Sequence, residues 1–398
     1  MQMQYPLVRI KKGKEQSILR NHPWIFSGAI HSISEELHEG DLVQVSDIQE
    51  NILGVGHFAE GSIAVRLQSF EKEALDIHFF ERKLNLAFQK RKTVGLWENP
   101  DTNIFRLVHA EGDGLSGLII DWYNGVAVIQ CHAFGMFKQI DLIAEALKKV
   151  FGDSLVAIYN KSHETVPKPF AEQVENGYLF NEVAVPYKAL ENGNQFYINW
   201  ETGQKTGFFI DQRINRDLLG SISKGKKILN TFCYSGGFSI YALNQGASEV
   251  HSLDSSNKAM HLVNENVALN GDFKNHTSIE ANALDYLKSE DTDDDYDIII
   301  LDPPAFAKSV KNRHKAVQGY KRLNILGLNK IKPGGILFTF SCSQVVDQAL
   351  FYNTIRAAAI ESGRNVSVLH QLHQPADHPV NICHPESEYL KGLMLFVE

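Results

Sequence analysis

Hydrophobic and polar positions change their spacing along the chain, and the first region has short apolar runs alternating with turn residues. Over about seventy residues the runs are VRI, GDLVQVSD, ILGVGHFA and SIAVRLQSF. Short strands punctuated by glycine and asparagine predict a small β-barrel. The turn residues between the runs are Gly40, Asn51, Gly54, Gly56 and Gly61.

The second region begins with helical spacing and continues with alternating strands and a helix. From about Leu75 to Thr93, apolar residues recur at helical intervals with basic residues between them. Residues 104–185 then give strand patterns at IFRLVHAE, SGLIIDWY, GVAVIQCH and LVAIYNK, with a helical stretch at FKQIDLIAEALKKVFG. The glycine-rich stretch EGDGLSGLIID is interpreted as a hairpin loop. The pattern predicts an α+β domain with antiparallel connections.

The third region has the pattern of a doubly wound α/β domain. After Gly207 the apolar strands KKILNTF, EVHSLD, YDIIILD and GGILFTF alternate with helical stretches. Such alternation predicts βαβ units and a parallel sheet buried on both faces. We therefore divide the chain into a β-barrel (1–74), an α+β domain (75–185), a β-hairpin linker (186–205) and a Rossmann-like α/β domain (206–398).

Composition adds limits to this picture. The 398 residues are 43% hydrophobic and 22% charged, which is ordinary for a globular protein. No stretch approaches the roughly 20 apolar residues of a membrane span, and the N-terminus lacks the apolar run of a signal peptide. We expect a cytoplasmic protein without membrane contact. The four cysteines have no CxxC or other metal-type spacing, so we expect neither disulfides nor a metal site.

The formal net charge of −8 argues against a protein that coats nucleic acid non-specifically. Local charge differs from the total. Residues 308–322, KSVKNRHKAVQGYKR, are basic without any acidic residue, and residues 9–20 are basic with Glu15 as the one acid. The chain therefore has two candidate sites for an anionic partner.

A candidate site for a nucleoside-type ligand, separate from the two basic segments, lies where strand KKILNTF runs into CYSGGFSIY. In open α/β sheets, ligands bind beyond the carboxyl ends of the strands, and Gly236 and Gly237 allow the backbone to approach a ligand. The next strand ends in Asp254, which suits the hydroxyls of a ribose, and the third ends at Asn282, which suits an adenine edge. Because the loop departs from GxGxxG, it favours an adenosine ligand without phosphates, such as S-adenosylmethionine.

The fourth and fifth strands bring further chemistry to the same rim. The fourth ends in Asp302-Pro303-Pro304-Ala305-Phe306, whose stiff proline loop and aromatic ring would hold a flat base. The fifth carries Cys342 to that rim, whereas Cys131, Cys233 and Cys383 are predicted to be core or supporting residues. A thiolate that adds to pyrimidine C6 makes C5 nucleophilic enough to accept a methyl group. Nearby positive charge, such as the 308–322 segment or the sulfonium, would favour that thiolate.

These residues resemble the ribosomal RNA large subunit methyltransferase I family, which forms 5-methylcytosine and carries an N-terminal PUA domain. The resemblance runs through NHPWIFSGAI, GDLV, EGDGLSGLIIDWY, GQKTGFFIDQRINR, NTFCYSGGFSIYA, LDPPAFAK, FSCS, DHPV and YLKG. It implies a PUA domain, a central α+β domain and a Rossmann-like methyltransferase that uses S-adenosylmethionine. The implied methyl acceptor is cytosine C5 of 23S ribosomal RNA.

The resemblance also implies roles for individual residues. Cys342 would be the nucleophile, and Asp302 would hold or protonate the N3 edge of cytosine. Implied cofactor contacts are Phe232, Cys233, Tyr234, Ser235, Gly236, Asp254, Ser255, Asn282, Ala283 and Asp302, with Gln204, Lys205, Thr206 and Asp211 covering the cofactor. Implied substrate contacts are Pro303, Pro304, Phe306, Lys308, Lys311, Arg313, Lys315, Lys321 and Arg322.

Two positions depart from what related enzymes carry. Asn282 stands where the family commonly has aspartate, and its carbonyl oxygen would serve the adenine instead. Pro304 stands where other RNA cytosine-C5 methyltransferases have a second cysteine, so the group that removes the C5 proton is unassigned.

Several alternatives stay open at this point. The enzyme would methylate another atom, such as guanine N7, if Cys342 were not its nucleophile, and a chain that retained only the adenosine site would be a non-catalytic RNA-binding factor. Methylation of a small metabolite is disfavoured because it has no use for the barrel or the basic segment. Trp24 and Phe26 belong either to the barrel core or to an RNA-binding face. The oligomeric state is open, with a homodimer as one form.

Overall fold

A computed structural model describes residues 5–290, 295–307 and 309–398. The chain forms two compact units, and each is built from several chain segments. The first unit consists of Met1–Ala189, Ile198–Ile210 and Ala376–Ser387. The second consists of Leu190–Tyr197, Asp211–Pro375 and Glu388–Glu398.

The first unit opens with a six-stranded sheet in the order β2-β6-β5-β4-β1-β3. Its neighbouring strands are antiparallel except for the parallel pair β1 and β4. The inward residues of the predicted apolar runs, such as Val43, Val45 and Leu67, form its core. The elements are β1 (Leu7–Ile10), α1 (Gln16–Leu19), β2 (Trp24–Phe26), β3 (Ile30–Ile33), β4 (Leu42–Ser46), β5 (Ile52–Phe58) and β6 (Ile63–Ser69).

The rest of the first unit is a five-stranded sheet, in the order β11-β10-β9-β8-β7, with helices packed against it. The parallel pair β9 and β10 is joined through α4, as a parallel connection requires. The loop from β7 to β8 joins two antiparallel strands, as the hairpin interpretation expected. The elements are α2 (Ile77–Thr93), β7 (Ile104–His109), β8 (Leu118–Tyr123), β9 (Val126–Cys131), α3 (Phe134–Phe137), α4 (Ile140–Phe151), β10 (Ala157–Asn160) and β11 (Gly177–Phe180).

Buried ion pairs hold this second sheet and its surroundings together. Arg91 of α2 donates two hydrogen bonds of 2.7 Å to the carboxylate of Asp113 and a third to the carbonyl of Asp377. Arg106 of β7 donates two bonds to the carboxylate of Asp121 on β8, at 2.8 and 3.0 Å. Ala376–Ser387, which contains the DHPV motif, is thereby tied to residues far away in sequence.

The chain continues through a β-hairpin into the α/β elements of the second unit. The hairpin consists of β12 (Tyr187–Glu191) and β13 (Asn194–Ile198). The later helices are α5 (Arg213–Ile222), α6 (Gly237–Asn244), α7 (Asn257–Asn270), α8 (Ala283–Lys288), α9 (Arg313–Lys330) and α10 (Gln348–Ser362). The later strands are β14 (Lys227–Thr231), β15 (Glu249–Asp254), β16 (His276–Glu280), β17 (Tyr296–Leu301), β18 (Ile331–Ser341), β19 (Val366–His373) and β20 (Lys391–Val397).

The seven-stranded sheet of the second unit has the order β16-β15-β14-β17-β18-β20-β19. The strands β14 to β18 are parallel, as their apolar runs predicted. The last two strands differ from the prediction, because β20 runs antiparallel to both β18 and β19. The chain direction reverses at the end of the sheet, so the C-terminal strand returns along β18, from Gly335 opposite Val397 to Ser341 opposite Lys391.

Candidate functional site

The strand order of the second unit places a crevice between β14 and β17. The chain moves outward in one direction from β14 through β15 to β16, and then in the other direction from β17 to β18. This reversal is the switch point at which open α/β sheets bind ligands, beyond the carboxyl ends of their strands. The loops after β14 and β17, which hold Gly236 and Asp302, leave the sheet there.

The loop after β14 owes its shape to residues in left-handed conformation. Phe232, Tyr234 and Gly236 have φ values of 54°, 45° and 78°, and the N–H of Gly236 closes a turn on the carbonyl of Cys233 at 2.7 Å. Gly237 has a different function from the one expected, because an added Cβ would lie 2.9 Å from Cδ of Arg216. Gly236 therefore serves the turn, whereas Gly237 makes room for a protein side chain.

Asp254 ends β15 with both carboxylate oxygens facing the glycine loop and the turn that follows. One oxygen accepts the backbone N–H of Tyr234 at 3.1 Å, and the other accepts that of Ser256 at 3.0 Å. Each carboxylate oxygen can accept a further hydrogen bond. The half-buried carboxylate is thus held in place with acceptor capacity left for a diol such as the ribose of an adenosine ligand. Ser255 is exposed beside it, and Cys233 and Ser235 are buried in the loop.

Asn282 uses its carbonyl oxygen differently from what the sequence predicted. It is the N-cap of α8, and its Oδ1 accepts the backbone N–H groups of Leu284 and Asp285 at 2.9 and 3.3 Å. The carbonyl was expected to serve adenine, but in the structure it serves the helix. Its NH2 group is the polar edge that remains, and it would donate to a ring nitrogen. Ala283 is buried behind it as the first residue of α8.

Asp302 follows β17 and lies in an unusual electrostatic environment. Its carboxylate accepts a hydrogen bond of 2.9 Å from Gln212, whose own carbonyl accepts one from Asn215 at 2.7 Å. Removal from water, together with the negative charge of Asp211, raises the pKa of Asp302 to about 7, although Gln212 opposes the shift. Asp211 in turn accepts the hydroxyl of Tyr389 at 2.6 Å. Asp302 can therefore be protonated near neutral pH and act as an acid.

Cys342 follows β18, the strand next to β17. Leu301 pairs with Thr339 in this parallel register, so Asp302 and Cys342 leave the same edge of the sheet. Cys342 is half-buried, whereas Cys131 and Cys233 are buried and burial raises the pKa of both thiols. Cys383, the other half-buried cysteine, belongs to the first unit. Cys342 is thus the cysteine whose position combines accessibility with the strand-end rim.

Lys391 lies beside Cys342 and was not predicted as a site residue. It is opposite Ser341 in the antiparallel pair of β18 and β20, and its ammonium donates to the carbonyl of Ser343 at 2.8 Å. Burial lowers the pKa of Lys391, and the negative charge of a Cys342 thiolate would offset only part of that lowering. Its motif, YLKG, was visible in the sequence, but the return of β20 to the site was not.

The predicted substrate residues divide into an exposed group and a packed group. Lys311, Arg313, Lys315 and Arg322 are exposed, as is Pro304. Pro303 is buried, and the ring of Phe306 packs on Tyr320 with centroids 4.6 Å apart. Lys321 forms an ion pair of 2.8 Å with Glu361 of α10, so it contributes to helix packing. Lys308 lies outside the described residues.

Three predicted cofactor residues, Gln204, Lys205 and Thr206, belong to the first unit. Thr206 is fully buried, and its hydroxyl interacts with Tyr123 and Asp121 at 2.8 and 2.5 Å. Gln204 and Lys205 are exposed. Thr206 therefore has a structural function in the first unit, and the cofactor contacts expected of this trio stay predictions.

The aromatic residues of β2 differ in exposure. Phe26 is 50% exposed, whereas Trp24 packs edge-on against His384 with ring centroids 4.3 Å apart and donates to Glu111 at 2.9 Å. Phe26 is therefore a surface residue, and Trp24 takes part in the packing of the first unit.

Among its described residues, the first unit contains one cluster of side chains that could hold a metal ion: His22, His384 and Glu386. One ligand atom of each lies within 4.8 Å of the others. Nδ1 of His22 lies 3.2 Å from the backbone nitrogen and 3.3 Å from the carbonyl oxygen of Trp24, and its Nε2 lies 3.7 Å from a carboxylate oxygen of Glu386. Ligand atoms in a tetrahedral zinc site lie only about 3.4 Å apart. The cluster is best described as a polar contact, and the expectation of no metal stays a prediction.

The described part of the chain contains no helix long and apolar enough to cross a membrane. Comparison with family models matches residues 105–390 to S-adenosylmethionine-dependent methyltransferases and residues 8–70 to a PUA-like domain. The two matches together confirm the fold predicted from the sequence, and the methyltransferase match confirms the use of S-adenosylmethionine.

Curated relatives match over almost the whole chain. The ribosomal RNA large subunit methyltransferase I of Aeromonas hydrophila is 37% identical over 394 residues, 98% of each chain. That of Pseudoalteromonas atlantica is 39% identical over 399 residues, covering 97% of this chain and 98% of its own.

Among solved structures, a SAM-dependent methyltransferase fold from Streptococcus mutans matches with a TM-score of 0.83 at 24% identity, covering 98% of this chain and 100% of its own. A methyltransferase structure complexed with SAH matches with a TM-score of 0.84, also at 24% identity and with the same coverage. These structures support the fold, and the sequence relatives carry the assignment further. The chain belongs to the ribosomal RNA large subunit methyltransferase I family of S-adenosylmethionine-dependent methyltransferases.

Proposed function

We propose that this protein methylates C5 of a cytosine in 23S ribosomal RNA through a covalent adduct between Cys342 and C6 of the base. The observation that carries the proposal is the pairing of an accessible thiol with an acid whose pKa is raised to about 7, at neighbouring strand ends of one sheet. A guanine-N7 enzyme needs neither group, because N7 is already nucleophilic.

The two groups have complementary tasks. As the thiolate of Cys342 forms its bond to C6, negative charge moves onto the ring, and protonated Asp302 delivers a proton to N3. The adduct is an enamine whose C5 is nucleophilic. S-adenosylmethionine, when bound, supplies the methyl group that C5 takes up. Loss of the C5 proton to a base, cleavage of the S–C6 bond and return of the N3 proton to Asp302 then restore an aromatic cytosine and the thiolate.

The cofactor fits the loop residues of the second unit. Asp254 retains acceptor capacity for the ribose hydroxyls, and Asn282 presents an NH2 group beside the start of α8. Phe232 to Gly236 would surround the methionine end, since their left-handed residues fold the loop tightly beyond β14. None of these contacts requires a phosphate on the ligand.

The basic start of α9 suits an RNA backbone. Lys311, Arg313 and Lys315 are exposed there, and the first turn contains no acidic residue. Cations at a helix N-terminus oppose the helix dipole, at a cost of about 0.3–1 kcal/mol each. A phosphate would remove this conflict by binding both the side chains and the free N–H groups. The cytosine itself must be unpaired or flipped out to reach Cys342.

Methyl transfer from labelled S-adenosylmethionine to unmodified 23S RNA tests the proposal. We expect label in 5-methylcytosine with the wild type and with Cys383→Ser, a matched control in the first unit. We expect none with Cys342→Ala. RNA containing 5-fluorocytidine should form a covalent complex with the wild type and not with Cys342→Ala, because fluorine cannot leave C5 as a proton does.

Two results would overturn the proposal. Label in 7-methylguanine, with Cys342→Ala still active, would establish the guanine alternative. RNA binding without any transfer of label would favour a non-catalytic RNA-binding factor. Comparison of 5-methylcytosine in the ribosomal RNA of cells with and without this protein would identify the nucleotide.

A further inference from the structure

We propose that Lys391 is a positioning residue that holds Cys342 as a thiolate, and this inference rests on the proposed function. The sequence pointed to the 308–322 segment or the sulfonium as the source of positive charge. In the structure, Lys311, Arg313, Lys315 and Arg322 of that segment are exposed and Lys321 pairs with Glu361, while Lys308 lies outside the described residues. The ammonium of Lys391 is instead part of the rim that carries the thiol.

The backbone register places Lys391 beside the nucleophile. Lys391 begins β20 directly opposite Ser341, the last residue of β18, and Cys342 is the next residue along the chain. The ammonium also donates to the carbonyl of Ser343. It therefore contacts the residue after Cys342 while its backbone pairs with the residue before it. This arrangement fixes the position of the ammonium relative to the thiol.

Lys391 has hydrogen-bonding capacity that its structural contact does not use. An ammonium carries three donors, and within the described residues one of them is bonded, to Ser343. No carboxylate among those residues lies within the 4.0 Å of an ion pair with it. A lysine needed only for packing would more often be paired. Two donors are thus left for an anion at this rim, and the thiolate of Cys342 is such an anion.

The charged groups near Lys391 and Cys342 come from several structural elements. Asp347 at the start of α10 and Glu388 before β20 both act electrostatically on Lys391 and help to keep it charged. Asp347 is itself occupied as the N-cap of α10, where it accepts the N–H of Leu350. From α9, Tyr320 faces Cys342 and Asp302, and burial raises the pKa of its phenol to about 12, so it stays neutral. In the described part of the chain, Lys391 is therefore a cation close to the thiol.

Alkylation of Cys342 by iodoacetamide as a function of pH tests this inference without any RNA. The full chain with Cys383→Ser is the background, so that Cys342 is the accessible cysteine. Removing the ammonium with Lys391→Met should shift the midpoint of alkylation upward by about one pH unit, which is about tenfold in rate near pH 7. Lys391→Arg should restore most of the shift. Lys224→Met, which removes an exposed lysine elsewhere in the unit, should leave the midpoint unchanged.

Methyl transfer supplies the second measurement. We expect Lys391→Met to lower kcat by about tenfold near pH 7, with KM for RNA unchanged and part of the loss recovered at higher pH. An unshifted alkylation midpoint in Lys391→Met and Lys391→Gln, with native circular dichroism, would overturn the inference, as would a rise in KM alone, which would mean RNA binding. A shifted midpoint in a protein that transfers no methyl group would retain the inference about the thiolate and reject the proposed function.

Discussion

Two buried carboxylates, Asp113 in the first unit and Asp302 in the second, show how the same group serves structure or chemistry. Asp113 accepts two bonds from Arg91, one from Lys90 and one from the backbone of His109. Burial raises the pKa of Asp113, but the charge and hydrogen bonds of Arg91 outweigh it and hold the pKa below its ordinary value. This carboxylate stays ionised.

Among the described residues, no cation forms an ion pair with Asp302. Its bond comes from the neutral amide of Gln212, the nearby charge of Asp211 has the same sign, and the positive charge of Arg216 offsets only part of the shift. The pKa of Asp302 consequently moves in the opposite direction. Burial is common to both carboxylates, so the difference lies in what surrounds them: a complete set of donors makes Asp113 part of the fold, whereas an incomplete set leaves Asp302 able to exchange a proton.

The largest effect is expected from removing Arg91, the main hydrogen-bond partner of Asp113. Arg91→Met would remove the buried counter-charge of Asp113 and leave only the half-exposed Lys90 beside it, which should lower the free energy of unfolding by about 3–5 kcal/mol. Urea unfolding followed by the fluorescence of Trp97 and Trp122, which pack near α2, would measure it. The double variant Arg91→Met with Asp113→Leu should recover much of the loss. Equal stability of wild type and Arg91→Met would mean that the network contributes nothing.

The second-largest effect is expected from removing the proton that Asp302 can donate. Asp302→Asn cannot deliver a proton to N3, and kcat should fall by about 100-fold or more. In the wild type, kcat/KM should be bell-shaped in pH, because formation of the Cys342 thiolate favours higher pH whereas protonation of Asp302, with a pKa of about 7, favours lower pH. Rates across pH 5–9 would reveal this bell shape. A rate that stayed constant above pH 7 would exclude protonated Asp302 from the mechanism.

Asp302 should also influence stability, with a sign opposite to that of a paired carboxylate. Because its pKa is raised from 3.8 to about 7 in the folded state, it favours folding when protonated, and that contribution is lost as pH rises through this interval. Asp302→Asn should match the wild type near pH 4 and be more stable above pH 7, by an amount on the order of a few kcal/mol. Urea unfolding at both pH values measures the difference, and a pH-independent difference would contradict it.

These contrasts also show what a sequence can predict. Asp254, Asp302 and Cys342 were predicted because each follows an apolar run, and parallel strands bring such positions to one edge of a sheet. Lys391 and Gln212 were missed as site residues. Lys391 reaches the site through an antiparallel return of β20, and Gln212 lies in a turn before α5 whose path has no periodicity.

The same limit explains the contacts that spacing did not predict. The cofactor contact suggested for Thr206 stays a prediction, and its hydroxyl interacts with Asp121, a partner distant in sequence. Gly237 was expected to face a ligand and instead makes room for Arg216. Both functions depend on tertiary neighbours that spacing along the chain does not encode.

The smallest expected effect concerns Asn282, which lies between the two cases because one side-chain oxygen serves the helix while the amide nitrogen is left for a ligand. Asn282→Ala removes the cap of α8 and should cost about 1 kcal/mol of stability. Asn282→Asp keeps an acceptor for Leu284 and Asp285, so stability should be retained. It replaces the NH2 donor by an acceptor, however, which would no longer match a ring nitrogen of adenine but would match an exocyclic amino group. Calorimetric titration with S-adenosylhomocysteine therefore separates the two functions. If the affinity of Asn282→Asp changes while its stability does not, Asn282 contacts the ligand. If affinity changes only in variants that also lose stability, Asn282 acts only as a helix cap.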